Sequence, residues 1–158
     1  MINERIVEKV SNILKEKKLK IATAESCTGG LIAHTFTNIS GSSDYFERGF
    51  VTYSNDAKME LLGVSSNDLK GHGAVSKIVA KAMAKGALKN SKADIGLSTT
   101  GIAGPMGGST EKPVGLVYIA VSNKEKTVVK KFNFKGSRIQ NKYSACNAAF
   151  EMLFDLIS

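Results

Sequence analysis

The chain has 158 residues, 42% of them hydrophobic, which suits one domain around a single core and excludes a disordered or fibrous protein. Its net charge of +8 comes mostly from scattered lysines, not from basic residues interleaved with aromatics, so we read it as a solvated surface that also favours capture of an anionic small molecule, and we expect no nucleic-acid partner. Cys27, Cys146, His34 and His72 fall at no metal-ligand spacing and no apolar run approaches the ~20 residues of a membrane span, so a zinc site, a disulfide framework, a signal peptide and a membrane partner are not expected, and the cytoplasm is the default location.

Ile6, Val7, Val10 and Leu14 recur at helical spacing and predict an amphipathic helix over residues 2–17. Residues 19–24 read as a short strand, Glu25 to Gly30 as a loop, and Leu31 to Thr37 as a helix. Strand, glycine-containing turn, helix is the layout of an α/β binding site at the carboxyl end of a strand. Asn38 to Ser43 reads as turn, and Phe50-Val51-Thr52-Tyr53 as strand. Ser54 or Asn55 then caps a helix closed by Gly63. Residues 64–74 read as irregular, with one helical turn near Asn67-Asp68-Leu69. Ser76 caps a long helix to about Asn90, whose Ala80, Ala82, Ala84, Gly86 and Ala87 form a small-residue face able to approach a sheet closely. Asp94 to Thr99 reads as a buried strand. Gly115 to Ser122 and Lys126 to Phe134 read as strands of a hairpin, and Gly136 precedes a final helix with Ile139, Tyr143, Cys146, Phe150, Leu153, Phe154 and Ile157 on one stripe. Early alternation of strands with helices, then a late hairpin, predicts an α/β fold: a three-layer α/β/α sandwich on a mixed sheet, one domain over residues 1–158. The apolar helix faces also suggest a homodimer or higher homo-oligomer.

The chemistry centres on residues 41–58. Ser42 and Ser43 are adjacent hydroxyls. Lys58 falls in the first turn of a helix, where the dipole disfavours an ammonium and so relatively favours the neutral amine. A neutral lysine beside a serine can make a nucleophile; the plain alternative is a lysine pointing into solvent. The Glu25-to-Gly30 turn offers Ser26, Thr28 and backbone N–H groups, either as an anion site or as an ordinary capped helix. It matches neither the dinucleotide nor the Walker A fingerprint. Residues 100–113 hold both prolines and four glycines and read as a substrate-holding loop directly after a strand. Cys27 is an alternative nucleophile or a small buried hydrophobe. His72 sits in a loop within possible reach of a ligand. Arg138, one of three arginines, offers a planar fork for phosphate or carboxylate, or a surface ion pair.

Thr23-Ala24-Glu25-Ser26-Cys27-Thr28-Gly29-Gly30, Gly49-Phe50-Val51-Thr52-Tyr53-Ser54-Asn55, His72-Gly73-Ala74-Val75-Ser76, Gly101-Ile102-Ala103-Gly104-Pro105 and Lys112-Pro113-Val114-Gly115 together resemble the CinA C-terminal domain family, across roughly residues 5–155. The resemblance implies a nicotinamide-nucleotide amidase that converts nicotinamide mononucleotide to nicotinic acid mononucleotide and ammonia in pyridine nucleotide recycling. Many family members carry a further N-terminal domain; this chain is similar to the stand-alone enzyme. The resemblance implies a serine–lysine mechanism with no metal and no cofactor. Carried onto this chain, the nucleophile falls at Ser43, with Ser42 the other choice, and Lys58 is the base, with Tyr53 orienting it or meeting the substrate. Ser26, Thr28, Gly29, Gly30, Ser42, Thr100, Gly101 and Arg138 are expected to line the substrate. The phosphate is expected at Arg138 or at the Gly29-Gly30 helix start. Thr99-Thr100 stands where relatives often carry serine. The alternative function is a non-catalytic nucleotide- or phosphate-binding module.

Overall fold

The computed structural model describes residues 1–158. Strands β1 (Ile21–Glu25), β2 (Phe46–Val51), β3 (Ile95–Gly101), β4 (Leu116–Ser122) and β5 (Thr127–Asn133) form one sheet in the order β2-β1-β3-β4-β5. β1 pairs in parallel with both β2 and β3, whereas β3–β4 and β4–β5 are antiparallel. All five residues of β1 are buried, as expected of a central strand covered on both faces.

Alternation along the strands divides the core in two. Ile21, Leu97, Val117 and Ile119 join Phe36 and Phe150 under α1 (Glu4–Lys17), α2 (Leu31–Thr37) and α6 (Arg138–Ile157). Ala22 and Ala24 face the other way, toward Val79, Met83 and Ala87 of α5 (Lys77–Lys89), with α3 (Asn55–Leu62) and α4 (Ser66–His72) beside it. The predicted α/β/α sandwich and its mixed sheet are thus found. The small-residue face of α5 does let it sit close: Ser98 Oγ donates to the Ala80 carbonyl at 2.6 Å, and a methyl group added at Gly96 would come within 2.1 Å of the Ala84 carbonyl oxygen.

Two elements differ from expectation. β2 begins at Phe46 rather than Phe50, because it is an edge strand whose Glu47 and Arg48 pair at 2.6 Å at its margin and break any apolar run. Residues 66–72 form a full helix, capped by Ser65, which accepts from the Asp68 N–H at 3.0 Å. Its one buried residue, Leu69, leaves no stripe to read.

The interlock predicts that Gly96→Ala lowers stability by about 1–3 kcal/mol, the usual penalty of overpacking. Chemical denaturation checks it, and an unchanged unfolding midpoint would show that α5 can back away from the sheet.

Candidate active site

Because β1, β2 and β3 run parallel, their carboxyl ends share one edge, where α/β sheets place their ligands. Ser26 follows directly after β1, and its N–H donates to the Thr99 carbonyl of β3 at 3.0 Å. Thr52 follows directly after β2, and its N–H donates to the Glu25 carbonyl at 2.8 Å, extending that ladder by one residue. Ser54 then caps α3, accepting from the Ala57 N–H at 3.0 Å. Lys58 comes one turn into this helix. Helical side chains tilt toward the N-terminus, so the lysine curls back over the cap. Its Nζ lies 2.8 Å from the Thr52 carbonyl oxygen, 3.3 Å from that of Tyr53 and 3.0 Å from Ser26 Oγ.

Lys58 is only 1% exposed and no carboxylate pairs with it. Neutral carbonyls ease an ammonium but supply no counter-charge, and burial holds the amine below its ordinary range. As a neutral amine it has two N–H groups for the two carbonyls, which leaves its lone pair facing the serine hydroxyl. The dyad opens into a cavity of about 180 Å³, also lined by Cys27, Tyr53, Thr100, Gly101, Ala103 and Arg138. Three larger clefts, of about 380, 430 and 450 Å³, contain no comparable pairing of base and hydroxyl. Arg138 Nη1 donates to the Gly104 carbonyl at 2.8 Å and Nη2 to the Tyr53 hydroxyl at 3.2 Å, and no acid neutralises it. The backbone N–H groups of Cys27, Thr28 and Ala103 take no part in the main-chain network.

The CinA C-terminal domain family matches residues 3–157. The chain belongs to this family. It is 55% identical over 146 residues to a relative from Caldicellulosiruptor bescii, covering 92% of this chain and 36% of that one. A CinA-like protein of Syntrophobacter fumaroxidans is 48% identical over 157 residues, 99% of this chain and 37% of the relative. The chain therefore spans little more than a third of the length of these relatives. Among solved structures, a competence/damage inducible protein from Agrobacterium tumefaciens aligns with a TM-score of 0.96 at 43% identity over 98% of this chain and 95% of its own. A CinA superfamily protein from Escherichia coli aligns at 0.93 and 34% identity, over 97% and 89%.

The structure places several CinA motif residues otherwise than the sequence suggested. Ser42 and Ser43 lie in a 3-10 turn, Ser42–Asp44, before β2, whereas Lys58 lies beyond its far end. Six strand residues at ~3.3 Å each separate them by about 20 Å, so neither serine meets the amine and the 41–43 turn offers it no oxyanion donors. The hydroxyl at Lys58 belongs to Ser26, expected only as a substrate contact. Tyr53 meets Lys58 through its carbonyl, not its ring, and the residue is 64% exposed. Thr28 is fully buried and turned away from the cavity, toward Glu25 and Thr99. The Gly29-Gly30 helix start is not free for a phosphate, because the Glu25 carboxylate accepts from the Ile32 and Ala33 N–H groups. Thr100, Gly101 and Arg138 do line the cavity, the Thr100 hydroxyl donating to the Ala74 carbonyl at 2.8 Å. His72 is exposed and outside it. Burial pushes the Cys27 thiol up to about 12, which leaves it a poor nucleophile near neutrality.

A lysine whose amine is depressed by folding destabilises the native state most below its folded pKa, and the penalty fades as pH rises toward the unfolded value of ~10.4. The unfolding free energy of the wild-type protein should therefore rise with pH relative to Lys58→Met across that window. Parallel stability curves for the two proteins would contradict a depressed amine.

Proposed function

We propose that the chain is an amidase with Ser26 as nucleophile and Lys58 as general base, and that its substrate is nicotinamide mononucleotide, hydrolysed to nicotinic acid mononucleotide and ammonia. The observation that carries the reaction is a buried amine with no acid partner, 3.0 Å from a serine hydroxyl at the mouth of a cavity. The substrate is drawn from the motifs shared with the nicotinamide-nucleotide amidases of the CinA family.

Neutral Lys58 takes the Ser26 proton as Oγ attacks the carboxamide carbon. Negative charge then gathers on the carboxamide oxygen. The N–H of Cys27, adjacent to the nucleophile, and that of Ala103 are the available backbone donors in the cavity wall. The ammonium of Lys58 returns its proton to the departing nitrogen, and ammonia leaves an ester on Ser26. Water attacks this ester, giving a proton to Lys58, which passes it back to the serine oxygen as the acid departs. Arg138 has guanidinium N–H groups beyond the two already used, and its uncompensated charge at the rim suits the phosphate of the nucleotide.

Ammonia release from nicotinamide mononucleotide should fall by about 10³-fold or more in both Ser26→Ala and Lys58→Ala, with the fold retained. Ser43→Ala should stay within about twofold of wild type, as for a surface substitution. The rate should climb with pH as Lys58 loses its proton, on a limb centred below ~10.4. Substantial turnover by Ser26→Ala would defeat the dyad. Tight binding of the nucleotide with no ammonia from any amide would instead favour the non-catalytic module.

A further inference from the structure

We propose that Glu25 is a positioning residue, whose carboxylate clamps the turn that aims Ser26 at Lys58; this rests on Ser26 being the nucleophile. Glu25 ends the central strand and is 1% exposed, yet it does not line the cavity and its carboxylate bonds neither Ser26 nor Lys58. Both of its oxygens accept hydrogen bonds. Oε1 accepts from the Thr28 hydroxyl at 2.6 Å and the Ile32 N–H at 2.9 Å, and Oε2 accepts from the Ala33 N–H at 3.0 Å. Since the Thr28 proton goes to Glu25, Thr99 supplies the proton for the 2.8 Å contact between the two threonine hydroxyls. One carboxylate thus ties the end of β1 to the residue two beyond Ser26, to the first turn of α2 and, through Thr28, to β3.

The reach of this clamp coincides with the part of the site that needs accuracy. Ser26 and the N–H groups of Cys27 and Thr28 lie between the clamped points 25 and 28. The rim residues Tyr53, Thr100 and Arg138 come from the loop after β2, from β3 and from the start of α6, and none of them bonds the Glu25 carboxylate. Loosening the clamp should therefore disturb the attacking oxygen while leaving the substrate contacts in place. A displacement of ~1 Å in a reacting group can slow a reaction about 10²-fold. Glutamine keeps the shape of Glu25 but turns one oxygen into an NH₂ group, which must then face an N–H or O–H donor. The Glu25 carboxylate makes no hydrogen bond or ion pair to Lys58, so the substitution leaves the immediate partners of the amine unchanged.

The test compares Glu25→Gln with wild type in ammonia release and in the rate at which a sulfonyl fluoride labels Ser26, followed by intact mass. We expect kcat and labelling to fall together by ~10- to 100-fold, with KM within about twofold and the rising pH limb unmoved. Thr28→Val should fall in the same direction by less, and Thr28→Ser should recover most of that loss; these two variants decide the matter if Glu25→Gln does not fold. Wild-type kcat and labelling in folded Glu25→Gln overturn the proposal. So does a loss carried by KM, or a shifted pH limb, which would make Glu25 a charge partner of the base. Labelling of wild type without ammonia from any amide nucleotide would sink the substrate reading alone, and the labelling rates would still decide the role of Glu25. No labelling and no ammonia would remove Ser26 as nucleophile and this proposal with it.

Discussion

The site depends on a lysine amine held where an ammonium is poorly served. Three neutral oxygens surround Lys58, and no carboxylate compensates its charge. In water such an amine is almost always protonated, and an ammonium cannot act as a base. Burial shifts that balance, and the helix N-terminus beneath the lysine is positively polarised in the same sense. The surrounding structure makes this possible by bringing three chain segments to one edge. β1 delivers the serine, β2 delivers two carbonyls, and α3 delivers the amine. The parallel pairing of β1 with β2 and β3 sets that coincidence, since parallel strands end on the same side.

Most elements were legible because local signals agreed with the tertiary outcome. Ser54 and Ser76 cap helices as their positions suggested, and Gly63 closes α3 in a left-handed conformation at φ 68°. Lys58 stood out because a cation in a first helical turn runs against the dipole. Its burial was not legible, since that depends on how α3 docks against the sheet. The partner was harder still. Ser43 is the nearer serine to Lys58 in the motif order, and the sequence offers no direct measure of which hydroxyl shares its edge. A strand lies between Ser43 and Lys58, and crossing it reverses the expectation. Ser26, thirty-two positions away, reaches the amine through strand pairing.

Glu25 shows the same limit from the other side. A glutamate before Ser-Cys-Thr-Gly-Gly reads as the start of a loop that is either an anion site or an ordinary capped helix. In the fold its carboxylate satisfies the first N–H groups of α2, so that helix end is occupied from within. Arg138, by contrast, is held by a loop carbonyl and a tyrosine hydroxyl rather than by an acid. A guanidinium restrained by neutral partners keeps its charge available at little further ordering cost.

The margins of the sheet carry a separate consequence. β2 ends the sheet on one side with Glu47 and Arg48, and β5 ends it on the other with Lys130 and Lys131, both exposed. Unpaired strand edges invite hydrogen bonding between molecules, and charged side chains there discourage it. Part of the lysine surplus thus protects the chain from joining others edge to edge and growing into aggregates.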